Sequence, residues 1–422
     1  MKTNVNNRPI WCCSNLLNLA IIFRTILLLS GNWFVLSPLH AQTGQVTSHA
    51  EVSLLTCSPG NEIYSYFGHC AIRVKDINTN YDKVYNYGTF SFDQPNFYTK
   101  FIRGKLMYQL SVNTFSRFVS EYESEDRWVI EQVLNLSPAD KQVFIEKLTI
   151  NARRENRQYL YDFFFDNCAT RPRDLLENSL PNRIFFSENT EGSDLSFREL
   201  IDPYITRNAW VDFGIDLILG LPTDRKATAR EYMFLPDYLM NAFANAQITD
   251  SLGRKMPLVK EVRQVVDAKL PPDPKILFTP VLIFAFIFIA GVLFSIFQLK
   301  KKSFHPAFDV IFFGLLGGVG ILILFLWFGT DHQVLAFNLN LFWAFPLHLI
   351  AAALLLLRNT PNWVGVYFGA VALIGVLILL LWIWLPQQLH HSLIFIVALM
   401  TLRASVLYKV YRASLKSEAI QT

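Results

Sequence analysis

Tyr161-Asp162-Phe163-Phe164-Phe165-Asp166-Asn167-Cys168-Ala169-Thr170-Arg171-Pro172-Arg173-Asp174-Leu175-Leu176 passes from an apolar, aromatic run into a segment of helical character. Asp166 or Asn167 is placed to cap a helix that starts near Cys168 and ends near Leu180-Pro181. A thiol in the first turn of a helix is stabilised as thiolate by unpaired backbone N–H groups and the positive end of the dipole, and the same groups can hold an oxyanion. The competing reading of Cys168 is a buried small hydrophobe.

His69 shifts that balance. It lies in Tyr64-Ser65-Tyr66-Phe67-Gly68-His69-Cys70-Ala71-Ile72-Arg73-Val74, at the head of a strand and behind a glycine that permits close backbone approach. Histidine takes and returns a proton near neutrality, so it is the usual base for a cysteine nucleophile. A histidine opening a core strand and a cysteine opening a helix are the two halves of a papain-type dyad in permuted order. A third group normally orients the imidazole. The next strand, Val84-Tyr85-Asn86-Tyr87-Gly88, can pair with the His69 strand across the turn at 78–82 and bring Asn86 or Tyr87 near the ring. Asn86 is the expected third residue; a plain strand-edge position is the alternative.

Residues 51–57, 69–75, 83–88, 106–112 and 127–134 alternate or run apolar over strand lengths between turn-forming residues. Ser137-Pro138-Ala139-Asp140 is a capping-box-like start for a helix to about Arg154. From Arg225 to about Gln247 the chain reads as helical, with Tyr232, Phe234, Leu235, Leu239 and Phe243 on its apolar side and a break at Pro236. The expected fold class is an α+β domain, permuted papain-like, with a helical connection completing residues 42–270.

Beyond residue 270 the sequence reads as a membrane domain. Over the whole chain 52% of residues are hydrophobic and 17% charged, against roughly a quarter charged in soluble domains. Residues 42–275 carry 27 Lys+Arg and 31 Asp+Glu, residues 276–422 carry 8 and 3, and the first 41 carry 3 and 0. The net +4 thus belongs to the two ends, and no basic cluster in the middle calls for nucleic acid. Residues 1–41 read as an export signal, with Lys2 and Arg8 before apolar stretches and cleavage after Ala41; an uncleaved anchor is the alternative. Five apolar stretches are long enough to span a bilayer, at 276–298, 308–328, 334–357, 363–385 and 389–408, within a domain of 271–411 that ends in a tail, 412–422. Pro271-Pro272-Asp273-Pro274 is a stiff link into the first span. Lys300–Lys302, Arg358, and Lys409, Arg412 and Lys416 follow the odd spans, whereas 329–333 and 386–388 carry no Lys or Arg. By the positive-inside rule the soluble domain is exported and the C-terminus cytoplasmic. Gly314-x-x-x-Gly318 and Gly365-x-x-x-Gly369 are small-residue spacings for close helix packing.

The inventory of reactive groups in 42–275 is short: His49, His69, Cys57, Cys70 and Cys168. Three thiols cannot all pair within one chain. No C-x-x-C or H-x-x-x-H spacing supports zinc, and no G-x-S-x-G supports a serine hydrolase, so neither a metal nor a cofactor is expected. Asn167, Ser65 and Tyr64 are expected to position the reacting groups or the oxyanion, and Tyr64, Tyr66, Phe67 and Phe163–Phe165 to wall the site. Arg171 and Arg173 either bind a phosphate or pair with Asp174 or Glu177. Thr330-Asp331-His332 on the exported side, with Asn338 and Asn340 at membrane depth, forms a second polar cluster, suited to a headgroup or to interfacial capping.

Together the His69 and Cys168 stretches, Tyr87-Gly88-Thr89-Phe90, Phe234-Leu235-Pro236-Asp237-Tyr238-Leu239, Thr330-Asp331-His332 and Asn338-x-Asn340 resemble the Lnb-type lipoprotein N-acyltransferases. The resemblance covers about residues 48–411. It implies a periplasmic domain related to NlpC/P60 and lecithin:retinol acyltransferase-like thiol enzymes, a small membrane bundle in the bacterial inner membrane, Cys168 as nucleophile and His69 as base. It further implies a phospholipid acyl donor, a thioester on Cys168, and a diacylated lipoprotein as acceptor. His332, Asp331 and Asn338 would then contact substrate. The rivals are a cell-wall cysteine peptidase or amidase with the same dyad, a phospholipase or thioesterase that passes the acyl group to water, and a non-enzymatic envelope assembly factor.

Overall fold

Alternating apolar residues build the sheet that carries the site. The computed structural model describes residues 46–187, 194–269, 276–301 and 304–421, with side chains to Tyr411. The leader and the Pro271–Pro274 link lie outside the described residues. Strands β1 (Glu51–Cys57), β2 (His69–Asp76), β3 (Tyr81–Thr89), β4 (Met107–Thr114), β5 (Val129–Leu134), β6 (Gln158–Leu160) and β10 (Val259–Val266) form one antiparallel sheet in the order β10-β5-β1-β2-β3-β4-β6. A smaller sheet joins β7 (Ile184–Phe185), β8 (Gln247–Thr249) and β9 (Lys255–Pro257). Val52, Leu54, Ile72, Val74, Tyr85 and Leu110 give the main sheet its buried face.

Two short helices, α1 (Phe97–Ile102) and α2 (Phe115–Ser124), flank β4, and α3 (Pro138–Asn151) begins in a complete capping box between Ser137 and Asp140. Helix α4 (Thr170–Ser179) packs beside α3 and β2. Then come α5 (Phe197–Ile205), α6 (Ala209–Ile218), α7 (Ala229–Tyr232) and α8 (Pro236–Asn245).

The break read at Pro236 is present, and one sequence expectation changes here. The 225–247 segment is two helices separated at Met233–Leu235, because Pro236 has no N–H to continue the first and is well placed to start the second. The stretch before the membrane is not helical: it forms β8, β9 and β10, and β10 closes the main sheet against β5. With Lys260, Glu261 and Arg263 facing outward, β10 reads as polar, yet those residues suit an edge strand.

Five apolar helical segments make up the rest of the chain. Four are regular: α9 (Pro280–Lys301), α10 (Ala307–Phe328), α12 (Asn362–Leu380) and α13 (Leu393–Gln421). The third, 333–354, is not the continuous helix the sequence suggests. It consists of 3-10 turns at Gln333–Leu335 and Leu339–Phe342 and the eight-residue α11 (Leu347–Leu354). Polar groups of this segment, and Gln387 from the turn after the fourth, have partners in the exported domain. Asn338 Nδ2 donates to the carbonyls of Leu217 (2.9 Å) and Ile218 (3.1 Å), Asn340 Nδ2 to that of Leu217 (3.1 Å), and Gln387 Nε2 to that of Leu219 (3.1 Å). These bonds terminate α6 on the bundle. Close packing also differs in detail. Gly317 and Gly320 pack tightest, against Leu349 and the Ala344 carbonyl, and Gly314 makes only ordinary contact with Leu349, while Gly365 and Gly369 receive Tyr411 and Tyr408.

Candidate functional site

The antiparallel register defines where chemistry can occur. Val266 pairs with Val129, Val129 with Cys57, and Cys57 with His69, so these residues form a row along one edge of the sheet. The end of β3 and the start of β4 continue that row. His69 is held there by Gly68, whose φ of +74° and a would-be Cβ 2.7 Å from the Cys57 carbonyl admit only glycine. On β3 the pairing with β4 slips between Asn86 and Thr89, with Gly88 at φ +83°. A bulge of this kind re-aims neighbouring side chains. A Cβ on Gly88 would lie 3.4 Å from Cys168 Cβ, so the bulge lets the nucleophile's loop come against the strand.

His69 Nε2 is hydrogen-bonded to Asn86 Oδ1. An oxygen acceptor there holds the hydrogen of the neutral ring on Nε2, leaving Nδ1 to exchange a proton. Cys168 is its electrostatic partner, and each group shifts the other's proton affinity. Burial alone would push the Cys168 thiol up, but the His69 charge, the bond to its ring and main-chain N–H groups of Cys70 and Cys168 outweigh it and bring the thiol below its ordinary value. For His69, burial disfavours the charged ring, and the Cys168 charge and the bonds to Cys168 and Asn86 overcome it, raising the imidazole. Both shifts run towards the charged form of each group. The other two thiols are driven the opposite way. Burial pushes Cys57 up to about 12 and raises Cys70 well above a normal thiol. All three are free and buried, and only Cys168 is activated.

Cys168 itself lies just before α4, not in its first turn as the sequence suggests. The N-cap position is Ala169, not Asp166 or Asn167, but the Asn167 side chain braces the turn before it. Its Oδ1 accepts from the N–H groups of Ala169 (2.8 Å) and Thr170 (2.9 Å), and its Nδ2 donates to the carbonyls of Phe163 (2.7 Å) and Phe234 (2.8 Å). Pro236, two residues on, presents its carbonyl to the Cys70 thiol. The 234–239 motif therefore props the loop of Cys168 and the strand of His69 at once. Tyr87, the other residue read as a possible neighbour of the ring, instead receives a hydrogen bond from Asn151 on its hydroxyl (3.0 Å).

Several expected site residues lie elsewhere or are committed. The Ser65 hydroxyl donates to the Glu62 carbonyl (2.7 Å) within its own turn, and so is not aimed at an oxyanion. Arg171 makes a bidentate pair with Asp166 (2.6 and 2.7 Å), and buried Arg173 is bound to Asp174 and to the Arg230 carbonyl; neither is a free phosphate ligand. Asn338 is committed to the end of α6. His332 Nε2 reaches the Phe101 carbonyl (3.1 Å) and the Asp331 N–H donates to the Arg103 carbonyl (3.0 Å), so both residues fasten the loop after α10 to α1. They also line a crevice of 780 Å³ with Phe165 and Trp327. Tyr66 is buried, and Phe67 packs edge-on to Phe163 with centroids 4.6 Å apart. Both line a larger cleft of 1660 Å³ that reaches Gly68 and Pro236 but is not lined by Cys168 or His69. Tyr64 is exposed, its ring against Phe90 and Phe92.

Tyr161 and Tyr108 were not legible as site residues. Tyr161 lies 3.5 Å from the position a Gly88 Cβ would take, and its ring stacks on Tyr108 at 4.3 Å. Tyr108 sits on a strand read only by its alternation, and no local pattern marks it.

Comparison with known families agrees with this architecture. Residues 41–200 match the Lnb N-terminal periplasmic domain, and residues 272–414 match the Lnb transmembrane domain. The chain belongs to the Lnb-type lipoprotein N-acyltransferase family. It is therefore a multi-pass membrane protein with a periplasmic domain, from a family tied to lipoprotein N-acylation. No curated protein and no solved structure is a match for it. Residues 201–271 fall between the two matched regions, yet supply β10 and the carbonyls of Phe234 and Pro236 that hold the site.

Proposed function

We propose that this protein transfers an acyl chain from a membrane phospholipid, through a thioester on Cys168, to the α-amine of a diacylglyceryl-cysteine lipoprotein. The observation that carries the reading is the Cys168–His69–Asn86 constellation, in which one thiol of three is electrostatically activated. The Cys168 sulfur attacks the ester carbonyl, and the tetrahedral oxyanion collapses as imidazolium His69 gives its proton to the departing lysophospholipid oxygen. In the second half, the acceptor amine attacks the thioester, His69 takes the amine's proton, and the Cys168 thiolate leaves. Asn86 keeps the imidazole in the orientation both proton transfers need. The main-chain N–H groups of Cys70 and Cys168, which lower the thiol, are suited to hold the oxyanion beside it. The enzyme resides in the inner membrane, with its C-terminus cytoplasmic.

Intact-protein mass spectrometry tests this directly. Detergent-purified full-length protein incubated with a defined phospholipid should gain one acyl mass, lost in Cys168→Ser and transferred on addition of a diacylated lipopeptide with a free α-amine. Absence of adduct and product would refute the reading; an adduct released only as fatty acid would make the protein a hydrolase.

A further inference from the structure

Between β3 and β4 the chain leaves the sheet for an excursion, Phe90–Leu106, that contains α1 and exposes several large apolar side chains among polar ones. Phe92 is 59% exposed, Tyr98 75%, Phe101 52% and Ile102 45%, with Arg103 and Lys105 exposed beside them. Exposed aromatic surface of this density marks an interaction site.

Three observations say what covers it. The excursion projects from the sheet edge that bears His69, and β10 reaches Val266 at that same edge before the first span begins at Pro280. The opposite edge carries the β2–β3 turn with exposed Ile77, roughly 20 Å away along strands of this length. The excursion is also fastened to the exported end of α10: Asp331 N–H to the Arg103 carbonyl (3.0 Å), His332 to the Phe101 carbonyl (3.1 Å), and Lys105 to Asp331 (3.8 Å). Asp331 lies three residues beyond Phe328, where that apolar helix ends. The aromatic surface is thus continuous with the end of the membrane-spanning bundle. Aromatic rings with adjacent cations suit the boundary between headgroups and acyl chains.

The same rings lead inward. Phe101 is 6.2 Å from Phe97, Phe97 5.8 Å from Phe90, Phe90 5.1 Å from Tyr108, and Tyr108 4.3 Å from Tyr161, centroid to centroid. Tyr161 and Cys168 both border Gly88.

We propose that the Phe90–Leu106 excursion seats in the leaflet facing the periplasmic domain, and that its row of aromatic rings is the path along which a phospholipid acyl chain reaches Cys168. Seating in the leaflet stands on the geometry alone; the acyl path rests on the acyl-transfer function proposed for Cys168. Arg103 and Lys105 face the phosphate level, while Tyr98 and Phe101 lie among the upper methylenes.

The test uses full-length protein reconstituted in anionic phospholipid vesicles. An environment-sensitive fluorophore is placed at Tyr98→Cys or Ile77→Cys, with unsubstituted protein as the labelling blank. Brominated phospholipid should quench the probe at 98 and leave that at 77 unaffected. A probe at 98 that stays in water overturns the seating whether or not an acyl-enzyme forms. Quenching at 98 without any acyl-enzyme in the unsubstituted protein upholds the seating and refutes the acyl path with the catalytic reading. For the path itself, the rate of Cys168 acylation by bilayer phospholipid is divided by that for a short-chain water-soluble thioester. Tyr98→Ser/Phe101→Ser should lower this ratio about tenfold, as expected for loss of apolar contact, and Tyr98→Trp/Phe101→Trp should restore it. An unchanged ratio overturns the path.

Discussion

Two of the molecule's polar clusters, one at the sheet edge and one inside the bundle, are completed to different degrees. Within the bundle, Arg403 of α13 donates to both oxygens of Asp309 on α10 (2.8 Å each), to Ser295 Oγ (2.8 Å) and to Gln298 Oε1 (2.9 Å) on α9. Arg403 and Asp309 are fully buried and satisfied across three helices. At the sheet edge, His69 is partly exposed, holds Asn86 on one nitrogen and shares the other with a thiol whose proton it competes for. A saturated cluster fixes helices in place, whereas one with a proton left to exchange can do work on a substrate.

The largest expected effect separates the two roles. Cys168→Ser should lower acyl-enzyme formation by about 10⁴-fold or more, as loss of a nucleophile does elsewhere, with thermal unfolding in detergent unchanged. A comparable loss of stability would mean that the thiol is a core residue and would erase the contrast.

Next in size is the bundle. Arg403→Met leaves Asp309 buried without its cation and should cost about 3–5 kcal/mol, read as a fall in unfolding midpoint and folded yield. Arg403→Met combined with Asp309→Leu should recover most of it. If the single variant unfolds normally but loses activity, the cluster is not merely architectural.

Asn86→Ala should sharpen the comparison from the other side, with about a hundredfold fall in acylation rate through a disoriented imidazole and little change in stability. The pH profile carries the sign. Cys168 is lowered, so activity rises on an acid limb below the ordinary thiol range; His69 is raised, so it falls on an alkaline limb above the ordinary imidazole range. Removing the Asn86 bond removes one cause of the His69 elevation, so the alkaline limb should move to lower pH. An alkaline limb that stays in place would deny Asn86 its positioning role. Smallest is Gly88→Ala, which forces φ +83° on an alanine and sets a methyl against Cys168; about 1–2 kcal/mol of strain is expected, seen as a modest drop in unfolding midpoint.

The α+β class and the apolar segments were legible because burial imposes periodicity: β1 to β3 are apolar runs bounded by turn residues, and α9, α10 and α12 are long apolar stretches with charge only near their ends. Other features depend on partners distant in sequence. Asn338 and Asn340 look like membrane-depth polar groups until the carbonyls of Leu217 and Ile218, some 120 positions earlier, come to meet them. For Arg171 and Arg173 the sequence leaves phosphate binding and pairing with Asp174 or Glu177 both open; Arg173 takes Asp174, whereas Arg171 takes Asp166, five residues back, which no helical spacing marks. Strand β10 hides behind Lys260, Glu261 and Arg263, since an edge strand needs little apolar character. The nearness of Asn86 to His69 came from a hairpin, the shortest-range tertiary contact a sheet offers.

Strand β10 also sets an order of events. It pairs with β5 across a gap of more than 120 residues and is followed within 14 residues by the first span. A ribosome must therefore deliver nearly the whole exported segment before the sheet can close, and by then the first membrane helix is about to emerge. Closure of the catalytic domain is in this way coupled to membrane insertion, so that a chain released early lacks the last strand and the anchor together.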